Sequence, residues 1–193
     1  MELAYRLVEK PKIYGVEKMI LDVGCGERPK GNVNVDLFVE ETSQRFCKRG
    51  LNTRVIPNFI KASISHLPFS DNTFETVLCF HVVEHTDNPI ESLRELIRVS
   101  KRNIVVKTPH RFSKTACLNP WHKHTFNKTW FLKALTKIKQ KTPLTFIIEY
   151  SAYAKFPHMF LPLIQIPQEV TATIYKLNDD IILHRYLREY CHV

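Results

Sequence analysis

Short apolar runs alternate with polar stretches along the whole chain, and each run has the length of a buried strand. Residues 19–23 are almost entirely apolar, and the glycines at positions 24 and 26 end this run. Apolar runs of this length, bounded by glycine, are typical of strands in a parallel sheet. The pattern predicts seven strands, at residues 19–23, 32–37, 53–60, 74–80, 103–106, 144–150 and 170–177.

Apolar side chains recur at helical spacing between some of these runs. Residues 89–99 show this spacing after Asp87 and Asn88, either of which can cap a helix, and Pro89 suits the first turn. Helices are also predicted at residues 1–18 (with a break near Pro11), 129–139 and 178–193. A helix between two strands favours a right-handed crossover and a parallel sheet. We therefore predict a doubly wound α/β fold.

The turn after the first strand and the end of the second strand form the first candidate site. Gly24 and Gly26 make a G-x-G pattern, and glycine there permits φ > 0 and leaves room for a ligand. Asp36 stands near the end of the second strand, where doubly wound folds read the ribose hydroxyls of a nucleotide. The sequence has no G-K-[ST] phosphate loop, which disfavours triphosphate binding. These residues predict a nucleoside-bearing ligand, although a turn that binds nothing shows the same glycine pattern.

Composition limits the size and the cellular setting of the protein. The chain has 193 residues, which suits a single domain over residues 1–193. The five cysteines are scattered and form no C-x-x-C pair, so the sequence predicts a reducing compartment. No apolar run is long enough to span a bilayer, and the first residues carry acids instead of an apolar signal core. We expect a cytoplasmic protein, and the sequence leaves its oligomeric state open.

Charge is divided unevenly between the two halves of the chain. Residues 1–100 hold 13 basic and 14 acidic residues, whereas residues 101–193 hold 15 and 5. Residues 101–148 include eleven Lys or Arg and no acid. Such a one-sided distribution indicates an anionic partner, although a solvated basic surface would show the same counts.

A second motif gives the glycine turn a more specific meaning. Residues 20–26 read ILDVGCG, an acid closes the second strand, and residues 66–85 read HLPFSDNTFETVLCFHVVEH. In this order, the motifs resemble those of the class I S-adenosylmethionine-dependent methyltransferases, and among these the type 11-like group. The resemblance implies a Rossmann-like methyltransferase fold, with a seven-stranded, mostly parallel sheet whose last strand is antiparallel. The short link from GCG to NVD resembles a subgroup in which the first helix is trimmed.

The same resemblance implies cofactor roles for positions of this chain, with S-adenosylmethionine as the cofactor. Asp36 would hold the ribose hydroxyls, since a carboxylate can accept from two hydroxyl donors. Ser63 stands where the family commonly has an acid that accepts from the adenine amino group, so that contact would rest on a weaker acceptor. Phe80 and His81 would lie at the strand end under the sulfonium. The implied cofactor-binding set is Asp22, Gly24, Cys25, Gly26, Asp36, Leu37, Ser63, Ile64, Phe80 and His81.

The acceptor side of the site is predicted from the carboxyl edge of the sheet, where open α/β folds bind their ligands. Histidine titrates near neutral pH, so His81, His85 and His110 are the candidates to remove a proton from the acceptor, with a structural role as the alternative. Basic residues interleaved with aromatics after the fifth strand suit a phosphate backbone and stacked bases. The predicted substrate-binding residues are Lys107, Arg111, Lys114, Trp121, His122, Lys123 and His124.

Glu84-His85 and His122-x-His124 also resemble part of a metal-binding set. The small-RNA 2′-O-methyltransferases hold magnesium with a Glu, a Glu-His pair and a later His, but His81 stands in place of the first Glu here. The resemblance is therefore incomplete, and nitrogen-rich ligands would suit zinc or another transition metal better than magnesium. The prediction from the sequence accordingly contains no metal.

Three functions are compatible with the sequence. The favoured one is an S-adenosylmethionine-dependent methyltransferase that acts on RNA or another anionic substrate. The second is a small-molecule or lipid methyltransferase that uses the Phe156–Phe160 loop as a pocket wall. The third is a non-catalytic subunit that keeps the fold in order to bind RNA or protein. The apolar residues 150–167 would also suit a substrate lid, a dimer surface or a membrane-touching loop, and the first two are favoured because no basic amphipathic helix flanks the segment.

Overall fold

The computed structural model describes residues 18–40, 50–155 and 165–176. The strands in these ranges are β1 (Ile20–Val23), β2 (Val33–Asp36), β3 (Phe59–Lys61), β4 (Phe74–Phe80), β5 (Ser100–Pro109), β6 (Leu144–Lys155) and β7 (Gln165–Lys176). The α-helices are α1 (Pro89–Val99), α2 (Lys114–Leu118) and α3 (Lys128–Lys139), and short 3₁₀ turns occupy Thr53–Val55 and Val83–His85. None of the described helices is long and apolar enough to cross a membrane.

The strands form one sheet in the order β3-β2-β1-β4-β5-β7-β6. β1 to β5 run parallel to one another, and β7 is antiparallel to both β5 and β6. The predicted seven-stranded, mostly parallel sheet with an antiparallel last strand is therefore confirmed. The strand order reverses at β1, which lies between β2 and β4, and such a switch point is where open α/β sheets bind ligands.

Helix α1 follows the amphipathic pattern that predicted it. Its apolar face buries Leu93 and Leu96 completely in the main core. Of the two predicted caps, Asn88 is the residue that begins the helix, since its side chain accepts from the Glu91 N–H at 3.3 Å. Asp87 is exposed and instead pairs with a lysine. The N-terminal cap, the proline in the first turn and the apolar face thus all favour the same helix.

Two strands differ from the apolar runs that predicted them. Residues 53–60 form a 3₁₀ turn followed by the short β3, because Pro57 has no N–H to give to a strand ladder and Asn58 takes a φ of +47°. β5 is longer than the predicted residues 103–106, since its polar ends continue the backbone pairing with β4 and β7. In β5, the apolar run marked the buried centre of the strand and did not indicate its polar ends.

The second half of the chain holds the other corrections. α2 was not predicted, and it begins at Ser113, whose Oγ accepts from the Ala116 N–H at 3.0 Å. Both ends of the predicted connection over residues 150–167 are strand, since β6 and β7 pair as far as Lys155 and Gln165. Residues outside the described ranges include 156–164, the predicted C-terminal helix at 178–193 and all of the predicted helix at 1–18 except its last residue.

The connection from β1 to β2 contains no helix. Residues 24–32 form the glycine turn and a loop that returns along β1, and the Asn32 N–H donates to the Ile20 carbonyl at 2.8 Å. The trimmed first crossover, predicted from the short GCG-to-NVD link, is confirmed. The glycine turn therefore leads into a loop that stays close to the sheet edge.

Arg98 of α1 ties the Leu-Pro-Phe turn to the helix. Its guanidinium donates to the carbonyls of Leu67 and Phe69 at 3.1 and 2.8 Å and to Asp71 Oδ1 at 2.8 Å. Glu95 accepts from the same guanidinium and from the Leu67 N–H, each at 2.8 Å. Arg98 holds the pKa of the Glu95 carboxyl below its usual range. The turn that follows β3 is thus positioned by one charged pair.

Replacing Arg98 by methionine is expected to lower the free energy of unfolding by about 2 kcal/mol at neutral pH, because two carbonyls and two carboxylates lose a charged donor. The pKa of Glu95 is lowered in the fold, so its contribution is present above the ordinary carboxyl pKa and is lost as pH falls through the folded value. The difference between the variant and the parent should therefore shrink in acid. Urea unfolding at neutral and acidic pH measures both effects.

Arg94→Met is the matched control, because Arg94 lies on the same helix and forms an exposed pair with Glu91. We expect this control to change the free energy of unfolding by about 0.5 kcal/mol or less. Equal losses for the two variants would contradict the role of Arg98 in holding the turn.

Candidate cofactor and acceptor site

The glycine turn is fastened to the end of β2. The N–H groups of Gly24 and Cys25 both donate to the Val35 carbonyl, at 2.7 and 3.1 Å. The Gly26 N–H donates to Asp36 Oδ2 at 3.1 Å. The turn and the acid, which the sequence placed at the ends of two strands, therefore lie in contact at the carboxyl edge of the sheet.

The two glycines of the turn serve different purposes. Gly24 has a φ of +74°, and a Cβ there would lie 2.1 Å from Val82 Cγ2, so packing excludes a side chain. Gly26 has a φ of +55°, and no described atom lies within 4 Å of the place where its Cβ would stand. The space for a ligand is thus beside Gly26, whereas the corresponding space at Gly24 is filled by the protein itself.

Two buried acids line this part of the site. Asp36 is 8% exposed, and its Oδ1 accepts from the Phe38 N–H at 3.0 Å. Asp22 is also buried, and its Oδ2 accepts from the Lys30 N–H at 2.8 Å. Burial raises the pKa of Asp22, and the hydrogen bond and charge of Lys30 oppose that rise. Open space beside an acid at the end of β2 fits a ribose, whose hydroxyls need acceptors.

The remaining predicted residues around the turn differ in what they expose. Leu37 is 45% exposed next to Asp36. The Cys25 side chain is buried with Leu51 and Ile56, so only the backbone of this residue faces the turn.

The segment that carries Ser63 follows β3. The Ala62 N–H donates to the Asp36 carbonyl at 3.2 Å, which brings Ser63 beside the acid. The Ser63 hydroxyl accepts from the Ser65 N–H at 3.3 Å, and Ile64 packs in the main core.

Phe80 closes β4 with cations against its ring. The ammonium of Lys30 lies 4.6 Å from the ring centroid, and that of Lys107 lies 5.2 Å from it. An aromatic face attracts cations through its quadrupole. Lys30 was missed in the sequence, because it lies in an irregular loop where no periodicity indicates which way a side chain points.

His81 follows Phe80 in a left-handed conformation, with a φ of +59°. Its N–H donates to the Lys107 carbonyl at 2.9 Å, and its Nε2 lies 3.0 Å from Glu169 Oε1. Its Nδ1 lies 3.6 Å from Glu84 Oε1. Glu84 is the main cause that raises the pKa of His81, with Glu169 adding to it. Glu169 was missed in the sequence because it comes from β7, the antiparallel last strand.

The predicted bases do not form one cluster. His110 is 4% exposed, its Nδ1 accepts from the Phe112 N–H at 3.3 Å, and burial lowers its pKa. His85 lies beside His122 instead, with 4.8 Å between ring centroids. Burial also lowers the pKa of His122. His124 lies next to Phe126, 6.5 Å between ring centroids.

Of the predicted substrate-binding residues, Lys107 lies in the last part of β5 and the others follow that strand, and their surroundings differ. Lys107 faces Phe80, whereas the Arg111 guanidinium lies 4.7 Å from the Phe112 ring centroid. Lys123 pairs with Asp87 at 2.6 Å. The segment after β5 exposes four of the predicted residues together with two apolar side chains that were not predicted. The predicted ones are Arg111, Lys114, Trp121 and Lys123, and the apolar ones are Phe112 and Leu118.

A family profile described as a methyltransferase domain matches residues 21–105, from β1 into β5. This range holds the glycine turn, Asp36 and the strand end at Phe80, within a sheet of the strand order described above. The chain belongs to the class I methyltransferase family. The cofactor of this family is S-adenosylmethionine.

The chain also resembles several relatives, and one solved structure shares its fold. The chain is 31% identical over 155 residues to an uncharacterized protein of Methanocaldococcus jannaschii, and the alignment covers 68% of this chain and 67% of that protein. It is 34% identical over 104 residues to a tRNA U34 carboxymethyltransferase of Nautilia profundicola, which covers 45% of this chain and 32% of the relative. A plantazolicin methyltransferase in complex with S-adenosylhomocysteine has a similar fold, with a TM-score of 0.55, 19% identity, and coverage of 82% of this chain and 75% of that one.

The relatives do not share one acceptor. Besides the tRNA enzyme, proteins named as a demethylmenaquinone methyltransferase and a sterol 24-C-methyltransferase are similar to this methyltransferase domain. The chain spans about two thirds of the first relative's length and only a third of the second's. The acceptor must therefore be argued from the surface of this chain.

Proposed function

We propose that this methyltransferase domain binds S-adenosylmethionine over the carboxyl ends of β1, β2 and β4 and directs its methyl group to RNA. The observation that carries the proposal is the open space beside Gly26, bounded by the Asp36 carboxylate. A side chain at position 26 would fill this space, and its glycine leaves the space to a ligand.

Each cofactor role follows from the chemistry of the residue in its place. The Asp36 carboxylate would accept from the ribose hydroxyls, while the backbone of residues 24–26 would lie along the ligand. Ser63, next to Asp36, would supply an acceptor near the base. Phe80 would lie under the sulfonium, at the end of β4. The cofactor supplies an electrophilic methyl group, and the chain supplies alignment, which can account for a large part of a rate.

The acceptor is assigned to RNA from the surface next to this cleft. Lys30 and Lys107 lie at the end of β4, and exposed Arg111 and Lys114 follow the end of β5. Phe112 is 63% exposed beside Arg111. Cations bind phosphates and exposed rings stack on bases, so together they suit single-stranded RNA.

Neutralising three of the basic side chains beside the cofactor cleft, called the rim cations below, is expected to weaken both RNA binding and its salt dependence. The variant is Lys107→Gln, Arg111→Gln and Lys114→Gln combined. Each lost phosphate contact removes about 0.7 from the slope of log affinity against log salt for a single strand, so the slope should become shallower by about 2. Fluorescence anisotropy with a labelled tRNA over a range of salt concentrations measures the slope, and transfer of a radiolabelled methyl group to the tRNA measures the reaction.

The matched control removes the same charge from α3, through Lys133→Gln, Lys137→Gln and Lys139→Gln, all of them exposed. Its slope should stay close to that of the parent. An equal loss for both variants would mean that RNA responds to net charge alone, and no fall in affinity with added salt for the parent would remove RNA as the acceptor.

A further inference from the structure

A buried carboxylate lies directly behind the end of β4. Glu84, in the 3₁₀ turn Val83–His85, is 1% exposed. Neither of its carboxylate oxygens has a hydrogen-bond partner among the described residues; His81 Nδ1, 3.6 Å from Oε1, is within ion-pair range but beyond ordinary hydrogen-bond range. Buried carboxylates are normally paired or bound to a cation, because desolvating an uncompensated charge is costly. The surroundings of Glu84 therefore suit a cation.

Two imidazoles lie beside this carboxylate. His85 is the next residue in the chain, and Lys123 and His124 donate their N–H groups to the Glu84 carbonyl at 2.8 and 3.2 Å, which fastens the loop carrying His122. One ligand atom from each of Glu84, His85 and His122 lies within 4.8 Å of the others. The fold thus brings together donors separated by more than thirty residues of sequence.

Each ring has a nitrogen that an ion could take, although His122 Nδ1 would first have to give up a proton, because the Asn119 amide nitrogen donates to Nε2. His85 Nδ1 lies 3.0 Å from the Trp121 carbonyl, which can only accept, so Nδ1 carries the proton and Nε2 keeps its lone pair. His122 Nδ1 is buried, and no described residue forms a hydrogen bond with it. A hydrogen bond from the far ring nitrogen to a carbonyl is the usual support of a metal-binding histidine.

We propose that Glu84, His85 and His122 bind one divalent transition-metal ion of the zinc type. One carboxylate and two imidazoles match the ligand preference of such ions, whereas Mg²⁺ and Ca²⁺ prefer oxygen ligands alone. Ligand atoms of a tetrahedral zinc site are about 3.3 Å apart. The three side chains would close by about 1.5 Å at most from their present separation, which side-chain rotation provides. A fourth position is left for water or for His81.

Titration of the metal-free full chain with Zn²⁺ and Co²⁺ tests the proposal. We expect a single equivalent of either ion to bind in calorimetry, under conditions where Mg²⁺ gives no heat. Bound Co²⁺ should show the intense visible bands of a four-coordinate ion. The Tm should rise with added Zn²⁺, since the ion stabilises only the folded site.

Glu84→Gln keeps the shape of the side chain and removes its charge, so the metal-free fold should be retained. We expect Zn²⁺ affinity to fall by about 100-fold in this variant and in His122→Ala. Loss of a residue that only supports a ligand costs about 10- to 100-fold, so loss of a ligand itself should reach at least the upper value. His66→Ala is the matched control, because His66 is exposed and outside the cluster, and it should bind Zn²⁺ as the parent does.

Asn119 offers a readout that side-chain packing alone would not move. Its side-chain nitrogen lies 3.0 Å from His122 Nε2, while its oxygen accepts from the Trp121 N–H at 3.0 Å. When His122 binds a metal through Nδ1, its proton stands on Nε2 and needs an acceptor. Asn119→Asp supplies one, so Zn²⁺ binding should tighten by about tenfold.

Two results would overturn the proposal. Absence of stoichiometric Zn²⁺ and Co²⁺ binding would mean that the ion pair with His81 alone compensates the Glu84 carboxylate. Binding that survives Glu84→Gln, or a Co²⁺ spectrum with a thiolate charge-transfer band, would place the ion elsewhere, for example at the exposed Cys117.

Discussion

Asp36→Ala is expected to weaken the binding of S-adenosylhomocysteine by about 100-fold. Two hydrogen bonds from ribose hydroxyls to the carboxylate would be lost, each worth about 1.5–3 kcal/mol. Water can replace part of this loss by binding the hydroxyls in the space that the carboxylate leaves, so the net change is about 100-fold. The carboxylate also holds the Gly26 and Phe38 N–H groups, so its loss loosens the turn that borders the ligand. Isothermal titration calorimetry with S-adenosylhomocysteine measures the change.

Two further variants separate binding from folding. Asp36→Asn keeps one acceptor oxygen and should lose about tenfold, between the parent and the alanine variant. Asp87→Ala removes an equally charged side chain that is exposed and paired with Lys123, and it should bind S-adenosylhomocysteine as the parent does. Unchanged binding in Asp36→Ala, with an intact thermal transition, would show that the ribose is not read at the end of β2.

The same titration on the parent chain separates the classes of function. A methyltransferase of either acceptor type must bind the cofactor, whereas a subunit that uses the fold only to hold RNA or protein need not. If the parent bound neither S-adenosylmethionine nor its product, only the non-catalytic subunit would remain among the three functions. The salt dependence of RNA binding would still be open in that case, because the rim cations do not depend on the cofactor.

Local signals were sufficient for the elements next to the cofactor cleft. β1, β4 and α1 were predicted from apolar runs, a capping asparagine and a proline in the first turn, and all three signals act within a few residues. Asp36 could be placed because it stands near the end of the β-prone run at residues 32–37. At these positions propensity, pattern and turn chemistry agree, which is why the sequence was enough.

Residues that depend on distant pairing could not be placed in the same way. Glu169 meets His81 only because β7 inserts between β5 and β6, so that the end of β5 lies next to Glu169. Lys30 reaches Phe80 from a loop without periodicity. The sequence suggested a partial metal-binding set that includes Glu84, His85 and His122, but the prediction contained no metal, because their contact depends on how residues 121–124 dock. All three contacts depend on how distant segments of the chain are arranged in space, and the local pattern of one segment does not contain that information.

Gly24→Ala is expected to have the largest effect on stability, a loss of about 3–4 kcal/mol in the free energy of unfolding. A left-handed alanine costs about 1–2 kcal/mol, and forcing a methyl group into packed space costs about 1–3 kcal/mol more. At position 24 both costs arise, since φ is +74° and the new Cβ would lie 2.1 Å from Val82 Cγ2. Chemical denaturation monitored by circular dichroism measures the loss.

A double-mutant cycle with Val82→Ala tests the origin of this loss. The Val82→Ala change removes the methyl group that meets the new Cβ, so the double variant should be less destabilised than the sum of the single variants by about 1–2 kcal/mol. Gly26→Ala is the complementary control, because it meets no described atom within 4 Å and should lose only the left-handed strain, about 1–2 kcal/mol. Its effect should appear in cofactor binding instead, since the added methyl group enters the space proposed for the ligand. Additive losses in the cycle, or equal losses at the two glycines, would mean that the turn yields to the clash and that its two glycines are not distinguished by packing.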